Sequence, residues 1–407
     1  MITDNVKKAI FQAKTGLVLS FILVSLIWTL VAQTGLTRSS HALLSELDDT
    51  EWAMAQELTT YKAPIADASN RYLGNKDVIE LGRKLFFSTK LSANGQLSCA
   101  SCHQPDRNWT DGLATAEGVN EGSKNTPSLW NVAYNRWFFW DGRSDSLWSQ
   151  ALKPIEDKNE MNNDRLQVLQ GIVETTNLNQ AYIKAYGNEM SLAPRPFKRS
   201  EQSNIWFAQL GKAIAAYEFT LISPPSKFDL LIRKHLRTKD TSWLESIKQQ
   251  LLDGASTSNQ VIQGFQLFVG KAECVRCHFG SMYTNAEFHS IRLPGHEPGR
   301  YEGIRKLQAD EFNQAGLYSD LANPPKLTYL KLVKRNYGEI KVPSLRQVSA
   351  TAPYMHDGRF KTLASVIDYY SELKGAIPDS HVNETLIRPL NLTAKEKSDL
   401  LEFLMAI

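Results

Sequence analysis

"CASCH" at residues 99–103 and "CVRCH" at residues 274–278 together use all four cysteines of the 407-residue chain. C-x-x-C-H is the attachment signature of c-type haem: both thiols form thioethers to the vinyl groups, and the adjacent histidine becomes the proximal iron ligand. One tight turn thereby presents two sulfurs and an imidazole to the same porphyrin edge. Paired disulfides, which an exported location permits, and a four-cysteine zinc site compete with this assignment. Neither explains a histidine directly after both pairs, and zinc ribbons bring their halves much closer together. The spacing predicts two covalently bound haem c groups, one on Cys99, Cys102 and His103, the other on Cys274, Cys277 and His278, with His103 and His278 as iron ligands.

Working outward, "LGRKLFF" (81–87) precedes the first motif and "QGFQLFV" (263–269) the second, sharing the pattern G-x-x-L-F. In each, the glycine permits close helix approach while the Leu-Phe pair faces a core. A partner helix follows each motif. "NIWFAQLGKAIAAYEFTLI" carries Trp206, Leu210, Ile214, Tyr217 and Leu221 at helical spacing and stops before Pro224-Pro225. The C-terminal segment opens with Thr393 and Glu396 as a capping box and then presents Leu400, Leu401, Leu404 and Ile407 on one face.

The expected fold is mainly α, two cytochrome c-like haem domains preceded by an N-terminal transmembrane helix. The expected divisions are 1–40 as anchor, 41–74 as linker, 75–225 as the first domain, 226–257 as a connecting segment and 258–407 as the second domain. Residues 303–339, charged and then proline-containing, read as a long loop insertion in the second unit.

Hydrophobic content of 42% and charged content of 22% describe a globular protein rather than a disordered one. A net charge of +3 creates no strong field, so nucleic acid is not an expected partner. No charged residue occurs from Thr15 to Thr37, and Lys7, Lys8 and Lys14 precede this apolar stretch. About 20 apolar residues cross a bilayer, and the charge bias places the N-terminus in the cytoplasm and the remainder outside it. A cleaved signal peptide ending near Ser40 to Ala42 is the rival reading. Either route places the remainder on the periplasmic side of a bacterial inner membrane, where c-type haem is attached.

The sixth ligands decide the chemistry, since a haem held only by its proximal histidine can shuttle electrons or keep an open face for peroxide. No histidine occurs between His103 and His235, so the first iron is expected to be open. Met161, Met190 or a distant histidine remain alternatives. His289 and His356 read as structural.

"LGRKLFFSTKLSANGQLSCASCH", "NTPSLWNVAYNRWFFWDGR" and "VPSLRQVSATAPYMHDGRFKTLASVIDYY" resemble, in that order, the bacterial dihaem cytochrome c peroxidase/MauG family, from about Asn75 to the C-terminus. The resemblance implies that Trp140 relays electrons between the haems, while Trp130, Trp137 and Trp148 pack. It implies that Gln150, Pro154 and Glu160 line the distal side of the peroxide-binding haem, with Glu160 as general acid-base. It implies a calcium site between the domains at Asn125, Thr351 and Pro353, two of them binding through backbone oxygens. Conventional peroxidases of the family have a methionine ligand at the position of Tyr370, whereas MauG has a tyrosine. A phenolate there lowers the potential of the second haem and a thioether raises it. Tyr369, Met355 and Met282 stay open as alternative ligands, and Tyr370 can also be read as core. MauG carries a surface tryptophan two residues before its second motif; here the position is Ala272.

The function implied is reduction of hydrogen peroxide at the first haem, with electrons drawn through the second from a periplasmic cytochrome or cupredoxin, or from a protein substrate. A dihaem electron carrier without catalysis is the alternative and requires protein ligands on both faces of both irons.

Overall fold

The computed structural model describes residues 47–190, 199–236, 255–295, 297–378 and 386–407. The apolar stretch expected to anchor the chain lies outside them. Among the described residues, no helix is long and apolar enough to cross a membrane.

The architecture is mainly helical. In the order of the chain, α1 (Asp49–Thr59) is followed by α2 (Lys76–Phe86), α3 (Leu147–Glu156), α4 (Arg165–Glu174), α5 (Thr176–Tyr186) and α6 (Glu201–Glu218). Then come α7 (Lys227–Leu236), α8 (Ala255–Val269), α9 (Arg300–Ala309), α10 (Leu363–Glu372) and α11 (Ala394–Ala406). Two two-residue strands, β1 (Phe288–His289) and β2 (Ile340–Lys341), pair antiparallel with Phe288 opposite Lys341.

Two hydrophobic cores form, each around a pair of close-packed helices. In the first, Leu85 and Phe86 of α2 meet Leu210 and Ile214 of α6, with Trp148 and Leu152 of α3 alongside. In the second, Phe265 and Phe268 of α8 meet Leu400 and Phe403 of α11. The glycine of G-x-x-L-F makes both contacts possible. A Cβ on Gly82 would lie 1.8 Å from the Ala213 carbonyl oxygen, and one on Gly264 would lie 2.0 Å from that of Asp399. The Thr393 capping box forms as the sequence suggests, with the Thr393 N–H donating to Glu396 Oε2 at 2.8 Å.

Two stretches depart from expectation. Residues 41–74, read as linker, contain α1, whose Asp48 and Glu51 close a capping box and whose Ala55 and Leu58 are fully buried in the second core. Phe228 and Ile232 of α7, within the expected connecting segment, join the same core. Both helices bury a short apolar stripe, too few residues to stand out among polar neighbours.

The presumed loop insertion is the larger departure. It opens with α9 and then lies against the first core: Phe312 is 2% exposed there, edge-on to Trp148 at 6.5 Å and to Phe207 at 5.8 Å. Lys153 pairs with Asp310 at 2.6 Å, Arg165 with Glu311 at 2.7 Å and Lys212 with Asp320 at 2.8 Å. A segment belonging by sequence to the second half is thus a strap over the first.

The halves also share a repeat at a constant offset of 216 residues, seen in Pro127 and Pro343 or in Gly142 and Gly358. "PSLWNV" matches "PSLRQV", and "WDGR" matches "HDGR". Asn131 and Gln347 are both left-handed, at φ 61° and 60°, as are Phe139 and Met355, at 64° and 72°. Single bridges Phe138–Ser144 and Tyr354–Phe360 follow. Then α3 and α10 start, with Ser146 and Thr362 accepting from the Ser149 and Ser365 amides. The two CxxCH motifs are only 175 residues apart, from Cys99 to Cys274, so the strap accounts for the extra length in the second half.

Candidate dihaem active site

Each CxxCH motif forms one turn, Cys99–Cys102 as α-helix and Cys274–Arg276 as 3-10 helix. The chain then folds back so that a backbone carbonyl meets the histidine. His103 Nδ1 lies 3.1 Å from the Trp109 carbonyl oxygen, and His278 Nδ1 lies 2.8 Å from that of Tyr283. Trp109 and Tyr283 are left-handed, at φ 62° and 50°, which makes the sharp return possible. A carbonyl only accepts, so Nδ1 carries the proton and Nε2 presents a lone pair. Burial holds both rings neutral: it lowers the pKa of His103 and pushes His278 down to about 4.

None of the four cysteines is in a disulfide, which removes the disulfide reading, and the described residues hold no metal-binding cluster of zinc type. Burial pushes the thiol of Cys102 up to about 11 and that of Cys274 up to about 12. Two neutral imidazoles whose Nδ1 faces a carbonyl, each next to two cysteines that form no disulfide, fit covalently bound haem.

On the first half, α3 carries Gln150 and Pro154 four residues apart and therefore on one face. Pro154 has no N–H, so the Gln150 carbonyl lacks its helical donor. Beyond α3 a tight turn brings Glu160 back: its N–H donates to the Asp157 carbonyl at 3.1 Å, and its carbonyl accepts from Val119 at 2.7 Å. Gly118 allows this approach, since a Cβ there would lie 2.1 Å from the Asn159 oxygen. The Glu160 carboxyl is enclosed, and burial pushes its pKa up to about 7, with Arg143 opposing and Asp157 adding to the rise. Its charge acts on both Cys99 and Cys102, so it stands beside the first motif.

Trp140 sits where the halves meet. Its Nε1 donates to the Asn125 carbonyl at 2.9 Å, its own carbonyl accepts from the Lys341 amide at 2.8 Å, and its ring lies edge-on to His356 at 6.5 Å. Under the 216-residue offset, His356 is the counterpart of Trp140. The His356 carbonyl accepts from the Asn125 amide at 2.9 Å, locking the two loops. Arg300 of α9 donates to the Gly142 carbonyl at 2.6 Å and is stacked between Trp137 and Phe288, at 4.3 and 4.1 Å. Trp137 and Trp148 are buried packing residues, as expected, and Trp130 is half-buried against Trp109.

On the second half, Tyr370 of α10 falls at the position equivalent to Pro154 of α3. Burial raises its phenol pKa, and Cys274 and Cys277 raise it further, so the ring stands beside the second motif. The Tyr369 hydroxyl donates instead to the Ile291 carbonyl at 2.6 Å. Met282 is buried, and Met355 packs in the small cluster of Leu293, Tyr369 and Leu373 that also contacts Tyr370. Thr351 and Pro353 lie on the loop that meets Asn125 through His356; the Thr351 hydroxyl donates to the Val348 carbonyl at 3.1 Å, and the Asn125 amide group to the Leu113 carbonyl at 2.8 Å.

Three features escaped the sequence reading. Glu218, at the end of α6, has a buried carboxyl oxygen without a partner, a pKa pushed up to about 8 by burial, and a charge that acts on Cys99. Lys341 reaches the junction, where its amide donates to the Trp140 carbonyl. The carbonyls of Trp109 and Tyr283 orient the histidines. The 216-residue repeat was the available signal for Lys341, because it aligns that residue with Asn125.

Two helical cores, each with a CxxCH turn and an oriented histidine, joined through Trp140 and His356, define a dihaem c-type cytochrome. Residues 76–237 match the family described as di-haem cytochrome c peroxidase. The chain is 30% identical over 329 residues to methylamine utilization protein MauG of Methylorubrum extorquens, covering 80% of this chain and 76% of that one. It is also 30% identical over 349 residues to cytochrome-c peroxidase IdrP1 of Denitromonas iodatirespirans, covering 81% of each. Among solved structures it resembles a MauG-like protein associated with microbial copper homeostasis, with a TM-score of 0.59 and 25% identity over 85% of this chain and 93% of that one. The chain belongs to the dihaem cytochrome c peroxidase/MauG family and is an oxidoreductase of peroxidase-like function, for which the family implies haem c.

Proposed function

We propose that the protein reduces hydrogen peroxide at the haem of its first half and draws the two electrons through its second half. The observation that carries this is the pairing of Pro154 with Tyr370 at equivalent turns of α3 and α10. The proline side chain has no donor atom, whereas tyrosine has a phenol oxygen, so Pro154 would leave the first iron's face open and Tyr370 would hold the second iron. When bound, the first haem supplies the iron that takes up peroxide and the redox chemistry of O–O cleavage. Glu160 accepts the proton of the near oxygen and returns it to the leaving one, and its pKa of about 7 suits both transfers. Gln150 orients the peroxide. Two further protons and two electrons complete the conversion to two waters.

Trp140 passes electrons across the junction, and the phenol oxygen of Tyr370 lowers the potential of the second haem. Calcium at Asn125, Thr351 and Pro353 would tie the two loops that hold Trp140. The donor is a small periplasmic cytochrome or cupredoxin. Ala272 is 5% exposed, so the surface tryptophan that MauG has there is missing and a protein substrate is disfavoured. An N-terminal apolar segment holding the chain to the inner membrane accords with this location.

Low-temperature paramagnetic resonance of the oxidised protein tests the assignment by counting high-spin and low-spin irons. One open, high-spin iron reactive toward peroxide is expected. Two ligand-saturated irons inert to peroxide would leave an electron carrier.

A further inference from the structure

Behind the first motif stands a set of touching aromatic rings. Trp109, whose carbonyl faces His103 Nδ1 at 3.1 Å, has a buried ring centred 5.9 Å from Phe86, 5.9 Å from Trp130 and 6.4 Å from Tyr217. Tyr217 in turn lies 6.3 Å from Phe87, which is 43% exposed, and both Trp130 and Tyr217 are half-buried. The rings therefore run from the hydrogen bond of the proximal histidine to the surface.

The second half repeats this geometry with different chemistry. Tyr283 takes the place of Trp109, and Phe268 and Phe403 stand at the same steps from the Gly264 crossing as Phe86 and Tyr217 do from that of Gly82. The Tyr283 ring lies 6.2 Å from Phe268 and 6.4 Å from Phe403, and all three are buried. In the place of Trp130 is Arg346, paired with Asp229 and 5.0 Å from the Tyr283 ring. Tryptophan and tyrosine lose an electron far more readily than phenylalanine, and a guanidinium over a ring opposes the positive charge that such a loss creates. Phe403 satisfies the packing of its triangle, so packing alone does not account for the phenol of Tyr217.

The polar atoms of the first-half rings differ in the same direction, from inside to outside. Trp109 Nε1 is buried and has no acceptor among the described residues, whereas Trp130 Nε1 donates to Asn108 Oδ1 at 3.2 Å. A positive charge on Trp109 is unsupported and passes on. One on Trp130 is met by an amide oxygen, and the half-buried Tyr217 can shed its hydroxyl proton to water.

We propose that Trp109, Trp130 and Tyr217 form a second electron route, on the proximal side of the first half and separate from Trp140, which serves when no electrons arrive through the second half. This rests on the reading that peroxide is reduced in the first half. Each hydrogen peroxide takes two electrons, both by way of Trp109. Trp130 gives one and becomes an indole cation radical that keeps its Nε1 proton; Tyr217 gives the other and releases its hydroxyl proton. That proton and one from solvent complete two waters. A small one-electron reductant of the enediol or hydroquinone class, meeting Trp130 and Tyr217 where they are exposed, returns one electron to each ring, and Tyr217 regains a proton.

The test mixes the full chain, carrying both haems, with hydrogen peroxide in the absence of a donor and freezes it for paramagnetic resonance. Wild type is compared with Trp130→Phe, Tyr217→Phe and the double variant, with haem content and the rate of the peroxide reaction measured for each. Wild type should show an organic radical. Trp130→Phe should keep a tyrosyl pattern with its ring-proton splittings, Tyr217→Phe a broader indole signal, and the double variant should lose both while its oxidised state outlives that of wild type. A wild type that reacts with peroxide but shows no organic radical would overturn the proposal. So would a double variant that holds both haems, reacts as wild type does and keeps the full signal. A wild-type chain inert to peroxide would instead sink the functional reading beneath it, and the route with it.

Discussion

The first and second halves share one backbone plan, and they differ where a haem would meet a side chain. At the same turn of α3 and α10 stand Pro154 and Tyr370; one turn earlier stand Gln150 and Val366; at the junction stand Trp140 and His356. The left-handed positions and helix caps match in kind, while the first motif turn is α-helical and the second 3-10. Gln150 and Glu160 stand in the first half, and the phenol of Tyr370 stands in the second. A duplicated scaffold has therefore been divided by side-chain chemistry, with the backbone left alone.

The largest expected effect attacks that division directly. Glu160→Gln should slow the reaction with peroxide by about 10²-fold to 10⁴-fold while both haem spectra persist, as stopped-flow mixing would show. The pH profile sharpens it. Below about 7 the carboxyl is protonated and cannot take the peroxide proton, so the wild-type rate should rise through that pH and then level off. The glutamine variant should lack this limb. At the opposing position, Tyr370→Met should raise the potential of the second haem alone, and an unmoved potential would separate Tyr370 from the iron.

Stability probes rank next. Phe312 belongs by sequence to the second half but is buried against Trp148 and Phe207 of the first. Phe312→Ala should cost about 3–5 kcal/mol, with early loss of protection in α3 and α6 by hydrogen exchange. Loss confined to α10 and α11 would mean the strap is not part of the first core. Gly82→Ala and Gly264→Ala should each cost about 1–3 kcal/mol in chemical denaturation, because each forces a Cβ into a facing backbone carbonyl. Similar costs would show that the two helix crossings are energetically alike. The smallest effect is Thr393→Ala, which removes the α11 cap for about 1 kcal/mol and should leave the first half untouched.

Much of this was legible in advance. Cys99, Cys102, His103 and their second-half counterparts announce themselves because thioether attachment demands contiguous residues, and Gly82 and Gly264 because close helix approach demands a missing side chain. The α1 helix was not legible. Its buried stripe is short, and the surface it covers, which includes Phe228, Ile232 and Phe265, lies far along the chain. Nor was the strap, since Phe312 and Asp310 find their partners about 100–160 residues upstream, across an interface that local pattern does not encode.

By itself, then, the sequence determined the covalent chemistry: which residues can hold two haems and which can orient or move a proton. The tertiary structure decided the asymmetry, by burying Glu160 beside one motif and Tyr370 beside the other, and by bringing Trp140 to His356. Bond-forming groups must be adjacent in the chain to make a turn, and so they leave a local signature. Desolvation and contact between distant loops depend on packing, and no short window of residues records them.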